Sequence, residues 1–186
     1  TEGSGEGQFS SPENVLVDEE NRMLYVLDTG NHRVQRFTSV GLFQNQWGSV
    51  GSGEGQFDSP TGIAIDKTEF IYVADTGNHR VQKFSRWGEF SREWGSEGSG
   101  DRQFQAPGGI VVDQVNDRVY VADTGNHRVQ KFFSGGTYVS QWGIEGSDNG
   151  QFRSPTGLTV DGDTFMFVAD TGNHRVQKFN FDGVFQ

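Results

Sequence analysis

The chain has 186 residues, enough for one domain with a buried core that needs no disulfide or metal support. It contains no cysteine, which excludes disulfides, thiolate metal sites and a nucleophilic cysteine and leaves the redox compartment open. No apolar run approaches the roughly 20 residues that cross a bilayer, so the sequence predicts no membrane partner. The formal net charge is −10, which already counts against the exposed basic surface that nucleic-acid binding needs.

The glycine content and the aromatic content of the chain favour opposite conclusions about whether it folds. The 27 glycines and the apolar share of only 32% are typical of disordered chains. However, 16 Phe, 4 Trp and 4 Tyr supply far more aromatic area than a disordered linker carries. Both observations are explained if the glycines recur at fixed turn positions of a folded repeat protein.

The octapeptide DTGNHRVQ occurs four times, starting at Asp28, Asp75, Asp123 and Asp170. A second marker, Gly-Gln-Phe, precedes three of the copies, whereas the third copy reads Arg102-Gln103-Phe104. A Trp-Gly pair closes three copies, at Trp47, Trp94 and Trp142. A period of about 20–50 residues indicates an array in which each repeat is one supersecondary unit.

Each repeat contains four short apolar runs separated by turn residues. In the second repeat the runs span 62–66, 70–74, 80–84 and 89–94. They are rich in β-branched and aromatic residues, and none shows a helical period over ten or more residues. A glycine joins the last two runs, which is a hairpin signal. Each repeat is therefore predicted to be a four-stranded antiparallel meander.

Four-stranded meanders at this period are the blades of a β-propeller. The first two runs are continuously apolar, as expected for strands that are covered on both faces by neighbouring blades. We predict an all-β fold, a single propeller module over 1–186 with four blades, at approximately 1–48, 49–95, 96–143 and 144–186. A β-solenoid is the structural alternative, although its coils usually have shorter periods and parallel pairing.

The succession GSGEGQF, SPTGIAID, IYVADTGNHRVQKF and Trp-Gly resembles the NHL repeat, here in four copies that cover essentially the whole chain. The resemblance implies a propeller that usually has six blades and serves as a binding platform for RNA or protein. One branch, the peptide-amidating lyases, implies a metal in the central channel. Because this chain has four repeats, three arrangements stay open: an excerpt of a longer propeller, a closed four-blade ring, or an open arc completed by oligomerisation.

The polar residues of the octapeptide are predicted to form a structural framework, since each occurs once per blade at the same place. The histidine is expected to orient the turn, aspartate or asparagine to satisfy turn amides, and each arginine to pair with the aspartate of its own repeat. Metal binding by the four histidines is the alternative. The structural motif residues are Asp28, His32, Arg33, Asp75, His79, Arg80, Asp123, His127, Arg128, Asp170, His174 and Arg175.

Three other patterns resemble chemical sites. Asp-Thr-Gly is the core of aspartic protease sites, but four copies held around a ring lie too far apart to share a proton. The glycine-rich segment 51–55 lacks the following helix of a phosphate-binding loop. Asp148, Asp161 and Asp163 are candidates for weak calcium binding without EF-hand spacing. We assign no catalytic, cofactor-binding or metal-binding residue.

The distribution of charge favours a protein partner. The framework positions contribute eight basic and eight acidic residues, so the remaining seven basic and seventeen acidic residues carry the whole net charge. Nucleic-acid binding needs clustered Lys and Arg, which these positions do not supply. We predict a non-catalytic scaffold that binds protein or peptide through its rim loops and central channel, with specificity at variable positions such as Trp87, Phe133 and Tyr138.

Two alternatives accompany this prediction. The near-identity of the repeats is also typical of a self-assembling homo-oligomer or an engineered repeat protein, in which the function is the fold and its assembly. The enzymatic alternative is a metal-dependent lyase or hydrolase with a channel metal. An enzyme should break the repeat symmetry with single-copy polar residues that face the axis, and the sequence shows no convincing set of this kind.

Overall fold

The computed structural model describes residues 1–162 and 164–186. Its main strands form four antiparallel sheets, and in each sheet neighbouring strands follow one another along the chain. Each sheet corresponds to one repeat, so we call the sheets blades 1 to 4. The predicted all-β propeller architecture, with four blades in one chain, is confirmed.

Blade 1 consists of β1 (Pro12–Asp18), β2 (Met23–Asp28), β3 (Arg33–Thr38) and β4 (Phe43–Trp47). Blade 2 consists of β5 (Gly62–Ile65), β6 (Ile71–Asp75), β7 (Arg80–Phe84) and β8 (Phe90–Trp94). A short parallel pair, β9 (Ser96–Glu97) and β10 (Gln103–Phe104), precedes blade 3. Blade 3 consists of β11 (Pro107–Asp113), β12 (Arg118–Asp123), β13 (Arg128–Phe133) and β14 (Tyr138–Trp142). Blade 4 consists of β15 (Pro155–Val160), β16 (Phe165–Asp170) and β17 (Arg175–Asn180).

The strands predicted for the second repeat agree with β5 to β8 to within one residue at each end. In blade 4 the fourth position is an isolated bridge between Phe179 and Phe185 rather than a full strand. The pattern did not predict the single turns of 3-10 helix between the second and third strands, which are Thr29–Asn31, Thr76–Asn78, Thr124–Asn126 and Thr171–Asn173. In the described part of the chain, no helix is long and apolar enough to cross a membrane.

Hydrophobic clusters join each blade to the next. Between blades 1 and 2, Tyr25 and Val34 pack with Ile63 and Phe84, all four at least 95% buried. Trp47 closes the outer part of this junction, with ring centroids 6.1 Å from Tyr25 and 6.0 Å from Phe84. Equivalent clusters lie between blades 2 and 3 and between blades 3 and 4. Burying each large apolar side chain contributes about 1.5–3 kcal/mol, so these junctions hold the blades together.

The four blades form an open arc rather than a closed ring. Val15 of β1 is 59% exposed, whereas Ile63 at the same position of blade 2 is 5% exposed. Val176 of β17 is 68% exposed, whereas the corresponding Val81 is fully buried. Among residues 1–162 and 164–186, no hydrophobic cluster joins blade 4 to blade 1. The two terminal blades therefore each present an uncovered apolar face.

We predict that Arg102→Gly stabilises the protein. Arg102 has φ of 63°, and glycine occupies the same left-handed position at Gly7, Gly55 and Gly150. Its backbone N–H donates to the Gln130 side chain, just as that of Gly55 donates to Gln82. A residue with a Cβ is destabilised by about 1–2 kcal/mol in this conformation. Glycine avoids this strain but loses about 0.5–1 kcal/mol more conformational entropy on folding, which offsets part of the gain. Chemical denaturation should therefore show a gain of about 0.5–1 kcal/mol.

Gly55→Ala is the matched control for this prediction. An added Cβ at Gly55 would find its nearest neighbour, Phe84, at 3.9 Å, so only the left-handed backbone opposes the substitution. Gly55→Ala should destabilise the protein while Arg102→Gly stabilises it. Equal signs for the two changes would contradict the explanation.

Candidate functional site: the DTGNH end and the axial groove

The octapeptide forms a buried polar network at one end of every blade, which we call the DTGNH end. In blade 2 the fully buried Asp75 carboxylate accepts hydrogen bonds from Arg80 Nε at 2.8 Å, Gln82 Nε2 at 3.0 Å and Asn78 Nδ2 at 2.9 Å. The same carboxylate accepts the backbone N–H of Asp58, in the glycine-rich linker, at 2.8 Å. Both oxygens are thus occupied by donors.

The arginine of the network binds the linker that leads into its own blade. The guanidinium of Arg80 donates to the carbonyl oxygens of Ser52, Gly53 and Gln56 at 2.8–2.9 Å and to Glu93 Oε2 at 2.7 Å. The same aspartate–arginine pair is present in the other blades, at 2.7 Å for Arg33, Arg128 and Arg175. Because these groups hold one another, they fix the linker and the turn and offer no free acid or base.

The histidines connect neighbouring blades. The backbone of His79 ends the 3-10 turn in the left-handed conformation, with φ of 55°. Its Nδ1 accepts the backbone N–H of Ala106, in the linker before blade 3, at 3.0 Å. His32 and His127 accept the N–H groups of Ser59 and Ser154 in the same way. The structure thus adds a contact with the following blade to the turn-orienting role that the sequence predicts for these histidines.

The first strand of each blade pairs on one side only, and the first strands of successive blades lie next to one another, so their free edges face the propeller axis. These edges surround an axial groove. At the DTGNH end the groove has a volume of about 420 Å³ and is lined by threonine hydroxyls and glycine backbone, including Thr61, Thr76, Thr124, Gly108 and Gly157. Unpaired strand edges supply backbone donors and acceptors of the kind that bind an extended peptide.

The opposite end of the groove is acidic. A second cavity, of about 270 Å³, is lined by Asp18, Glu19, Glu20 and Glu69 together with Lys67. Asp18 is buried and bonds to Asn21, whereas Glu19 and Glu20 are exposed. In blade 1, Asp28 pairs with Arg33 at the DTGNH end, and Met23 pairs with Thr38 at the opposite end. The third strand of each blade turns into the fourth strand at this opposite end. We call it the hairpin end.

The aromatic residues proposed as specificity positions lie outside the groove. Trp87 is 59% exposed on the β7–β8 hairpin, and its ring stacks on Arg36 at 4.3 Å. Phe133 is 43% exposed and lies 4.0 Å from the Arg118 guanidinium. Tyr138 is half-buried and packs against Phe132. Trp87 and Phe133 therefore belong to the hairpin end, away from the DTGNH loops.

The remaining sequence candidates do not come together. The linker 51–55 serves as the partner of Arg80 and Asn78. Asp161 accepts the N–H of Phe165 in the turn after β15, and Asp163 lies outside the described residues. Within residues 1–162 and 164–186, no group of three or more His, Asp or Glu side chains is arranged to hold a metal ion.

A buried polar cluster that the sequence analysis did not assign lies between blades 2 and 3. The Tyr72 hydroxyl donates to Asp66 Oδ2 at 2.6 Å, and Lys83 Nζ lies 3.3 Å from the same oxygen and from the carbonyl of Ser134 in blade 3. Burial raises the pKa of Tyr72 and lowers the pKa of Lys83. The signal available in the sequence was the aspartate that follows the first strand of every repeat.

The open β-propeller made of these repeats defines the class of protein. The NHL repeat family matches residues 57–84, 104–132 and 152–179, which begin in the linker and end with the third strand of blades 2, 3 and 4. Blade 1 carries the same octapeptide at the same place. The chain is an NHL-repeat protein. Protein brain tumor of Drosophila melanogaster is 45% identical over 49 residues, which is 26% of this chain and 5% of that protein.

Solved structures share the fold at low sequence identity. Virginiamycin B lyase from Staphylococcus aureus, bound to quinupristin in a catalytically inactive form, is 13% identical with a TM-score of 0.70, covering 92% of this chain and 53% of that one. Kuenenia stuttgartiensis hydrazine synthase is 16% identical with a TM-score of 0.70, covering 94% of this chain and 47% of that one. The chain spans about half the length of these structures, and the likeness shows the fold alone.

We predict that the aspartate–arginine pair contributes less to stability in blade 4 than in the other three blades, where the arginine side chain is 7–8% exposed. Arg80→Ala leaves the buried Asp75 carboxylate without its cation, which should cost about 3–5 kcal/mol of unfolding free energy. Arg175→Ala removes the equivalent pair, but the Arg175 side chain is 28% exposed, so solvent should reduce the loss. Urea denaturation of the two variants checks this order. A loss within about 0.5 kcal/mol for Arg80→Ala would show that the pair is dispensable.

The buried aspartates predict a loss of stability in acid. Burial alone would raise the pKa of Asp28, but hydrogen bonds from Ser10 N–H, Asn31, Arg33 and Gln35 outweigh it and hold this pKa below its usual value of 3.8. The stabilisation is therefore present above the unfolded pKa and is lost as the pH falls through the lower, folded value. Denaturant unfolding from about pH 7 to pH 2 should show stability falling below about pH 4.

Asp28→Asn is the control for the acid prediction. The amide presents donors to Arg33 and Asn31, so the variant should be less stable than the parent at neutral pH. Because one titrating group has been removed, the acid slope of its unfolding free energy should be shallower. An unchanged slope would assign the acid sensitivity to other carboxylates.

Proposed function

We propose that this chain is a non-catalytic propeller scaffold that binds an extended, basic segment of another protein in its axial groove. The observation that carries the proposal is the composition of the groove, which combines free strand edges and hydroxyls at the DTGNH end with exposed glutamates at the hairpin end. An extended peptide can bond to the strand edges, while its Lys or Arg side chains lie near Glu19 and Glu20.

The charge of the whole chain supports a basic protein ligand. Seventeen acidic and seven basic residues occupy the positions that vary between blades, so a cationic segment is attracted and a phosphate backbone is repelled. Several of the variable basic side chains are also engaged. Arg86 binds Glu69 at 2.6 Å, and Arg118 donates to the carbonyl of Asn116.

The hydrogen bonding of the repeated polar residues supports a binding role over a catalytic one. The repeated aspartates and arginines hold the linkers, and the histidines of blades 1 to 3 hold the following blade, so the carboxylates, the guanidiniums and the Nδ1 atoms of these three histidines are occupied. The groove lining at the DTGNH end consists of hydroxyls, glycine backbone and apolar side chains, with Asn14 and a single carboxylate, Glu13, and these lining residues include no basic side chain to pair with it. The structural likeness to lyases lies below the identity at which activity could be carried over.

A peptide-binding experiment tests the proposal. A peptide of about ten residues spans about 33 Å when extended, more than the seven-residue β1. Fluorescence anisotropy with a labelled peptide that alternates Lys with Ser should show saturable binding that weakens with salt, because exposed charges are screened. The same peptide with Glu in place of Lys should not bind. Equal binding of both peptides would overturn the proposal.

Glutamate substitutions locate the binding. Glu19→Gln combined with Glu20→Gln should weaken binding of the Lys peptide several-fold, by removing two charges at the hairpin end. Glu54→Gln combined with Glu97→Gln is the matched control, because both residues are exposed in linkers away from the groove. Elemental analysis and a chelator melt of the same preparation address the enzymatic alternative, which stoichiometric metal with a large loss of stability would favour.

A further inference from the structure

The three internal blade junctions share one pattern of polar contacts. In each, the histidine of one blade accepts a backbone N–H from the linker before the next blade, as His79 does from Ala106. In each, the threonine of the octapeptide donates its hydroxyl to a proline carbonyl of the next blade. These bonds measure 2.7–2.8 Å, from Thr29 to Pro60, Thr76 to Pro107 and Thr124 to Pro155.

The two ends of the arc carry the separate halves of this junction. Blade 4 carries His174 and Thr171. In the other repeats, the equivalent histidine accepts a hydrogen bond from the following blade and the equivalent threonine donates one to it. His174 has the same left-handed backbone as the internal histidines, with φ of 55°. Blade 1 begins with Ser11 and Pro12, which supply the N–H and carbonyl at the equivalent positions. Ser11 has φ of 45°, close to the 47° of Ser59.

The apolar halves correspond in the same way. The face of blade 4 presents Phe167, Ala169 and Val176 around a shallow cavity of about 260 Å³. In blade 1 the corresponding positions are Tyr25, Leu27 and Val34, which are fully buried against blade 2.

The other half of the junction lies on blade 1. Its uncovered face presents Val15 and Val17, 59% and 54% exposed. Blade 2 uses Ile63 and Ile65 at the same positions to cover blade 1. Blade 1 is therefore built to receive a preceding blade.

We propose that the uncovered face of blade 4 binds the uncovered face of blade 1 of a second copy of this chain, repeating between molecules the histidine, threonine and apolar contacts of the internal junction. The interface is heterologous, joining two different faces, and it closes when two copies meet at two equivalent contacts. The proposal goes beyond the proposed function and does not depend on it.

Sedimentation velocity over a range of concentrations tests the association. The parent chain should pass from 20.6 kDa to twice that mass as concentration rises. Val176→Glu places a charge in the contact and should weaken association by at least about a hundredfold, the equivalent of about 3 kcal/mol. Val115→Glu is the matched control, because Val115 is 61% exposed in a turn of blade 3, and it should associate like the parent.

Mixing two blocked variants tests the head-to-tail arrangement. Val176→Glu blocks only the blade 4 face and Val15→Glu blocks only the blade 1 face, so each variant alone should be monomeric. A mixture retains one intact face of each kind and should form a one-to-one dimer through a single contact, detectable by native mass spectrometry. A symmetric contact between two blade 4 faces would instead leave Val15→Glu dimeric on its own, which would overturn the proposal.

Substitution of His174 tests the polar contacts of the proposed interface separately from its apolar contacts. His174→Ala should weaken association about tenfold or more by leaving the Ser11 N–H of the partner copy unsatisfied. His174→Asn should retain most of the affinity, because its Oδ1 can accept the same bond and asparagine tolerates the left-handed backbone. A parent chain that stays monomeric at millimolar concentration, or a His174→Ala variant with parental affinity, would contradict the proposed interface. Neither outcome decides whether the groove binds a peptide, which the anisotropy experiment tests separately.

Discussion

Burial of both faces of each blade is the constraint on which the rest of this structure depends. A single blade cannot bury its own apolar faces, so these faces must be covered by neighbouring blades. Tyr72, Val73 and Val81 are fully buried in blade 2 because blades 1 and 3 lie on its two sides. Stability is thus shared among junctions, and the terminal blades, with one covered face each, retain a driving force for association.

The polar network converts this non-directional driving force into a fixed geometry. Hydrophobic packing alone would allow neighbouring blades to slide or rotate. The Asp75–Arg80 pair fixes the linker on the turn, and His79 then accepts an N–H from the next linker, so each blade sets the position of the following one. Buried charges are costly unless they are paired and hydrogen-bonded, which explains why the whole set of Asp, Asn, Arg and Gln recurs together.

The repeat made most of the fold predictable, and the limits of prediction have a physical cause. Periodicity and turn residues placed β5 to β8 closely and indicated an aspartate–arginine pair in each repeat. The hydrogen-bond partner of His79 could not be predicted from the sequence, because it is a backbone N–H 27 residues away and every residue type except proline supplies such a group. Likewise, the number of repeats did not decide between an open arc and a closed ring. That depends on the angle between blades, which packing sets.

Assembly and ligand binding use different surfaces of the same blades. The blade faces point along the arc, whereas the edges of β1, β5, β11 and β15 point to the axis, so covering the faces leaves the groove edges unpaired. A second copy would add four more strand edges and a second pair of exposed glutamates around the same axis. The groove would change from an open cleft into an enclosed channel, in which charges are less screened and a basic segment is held more strongly. Concentration of the chain would then control both the shape of the site and its affinity.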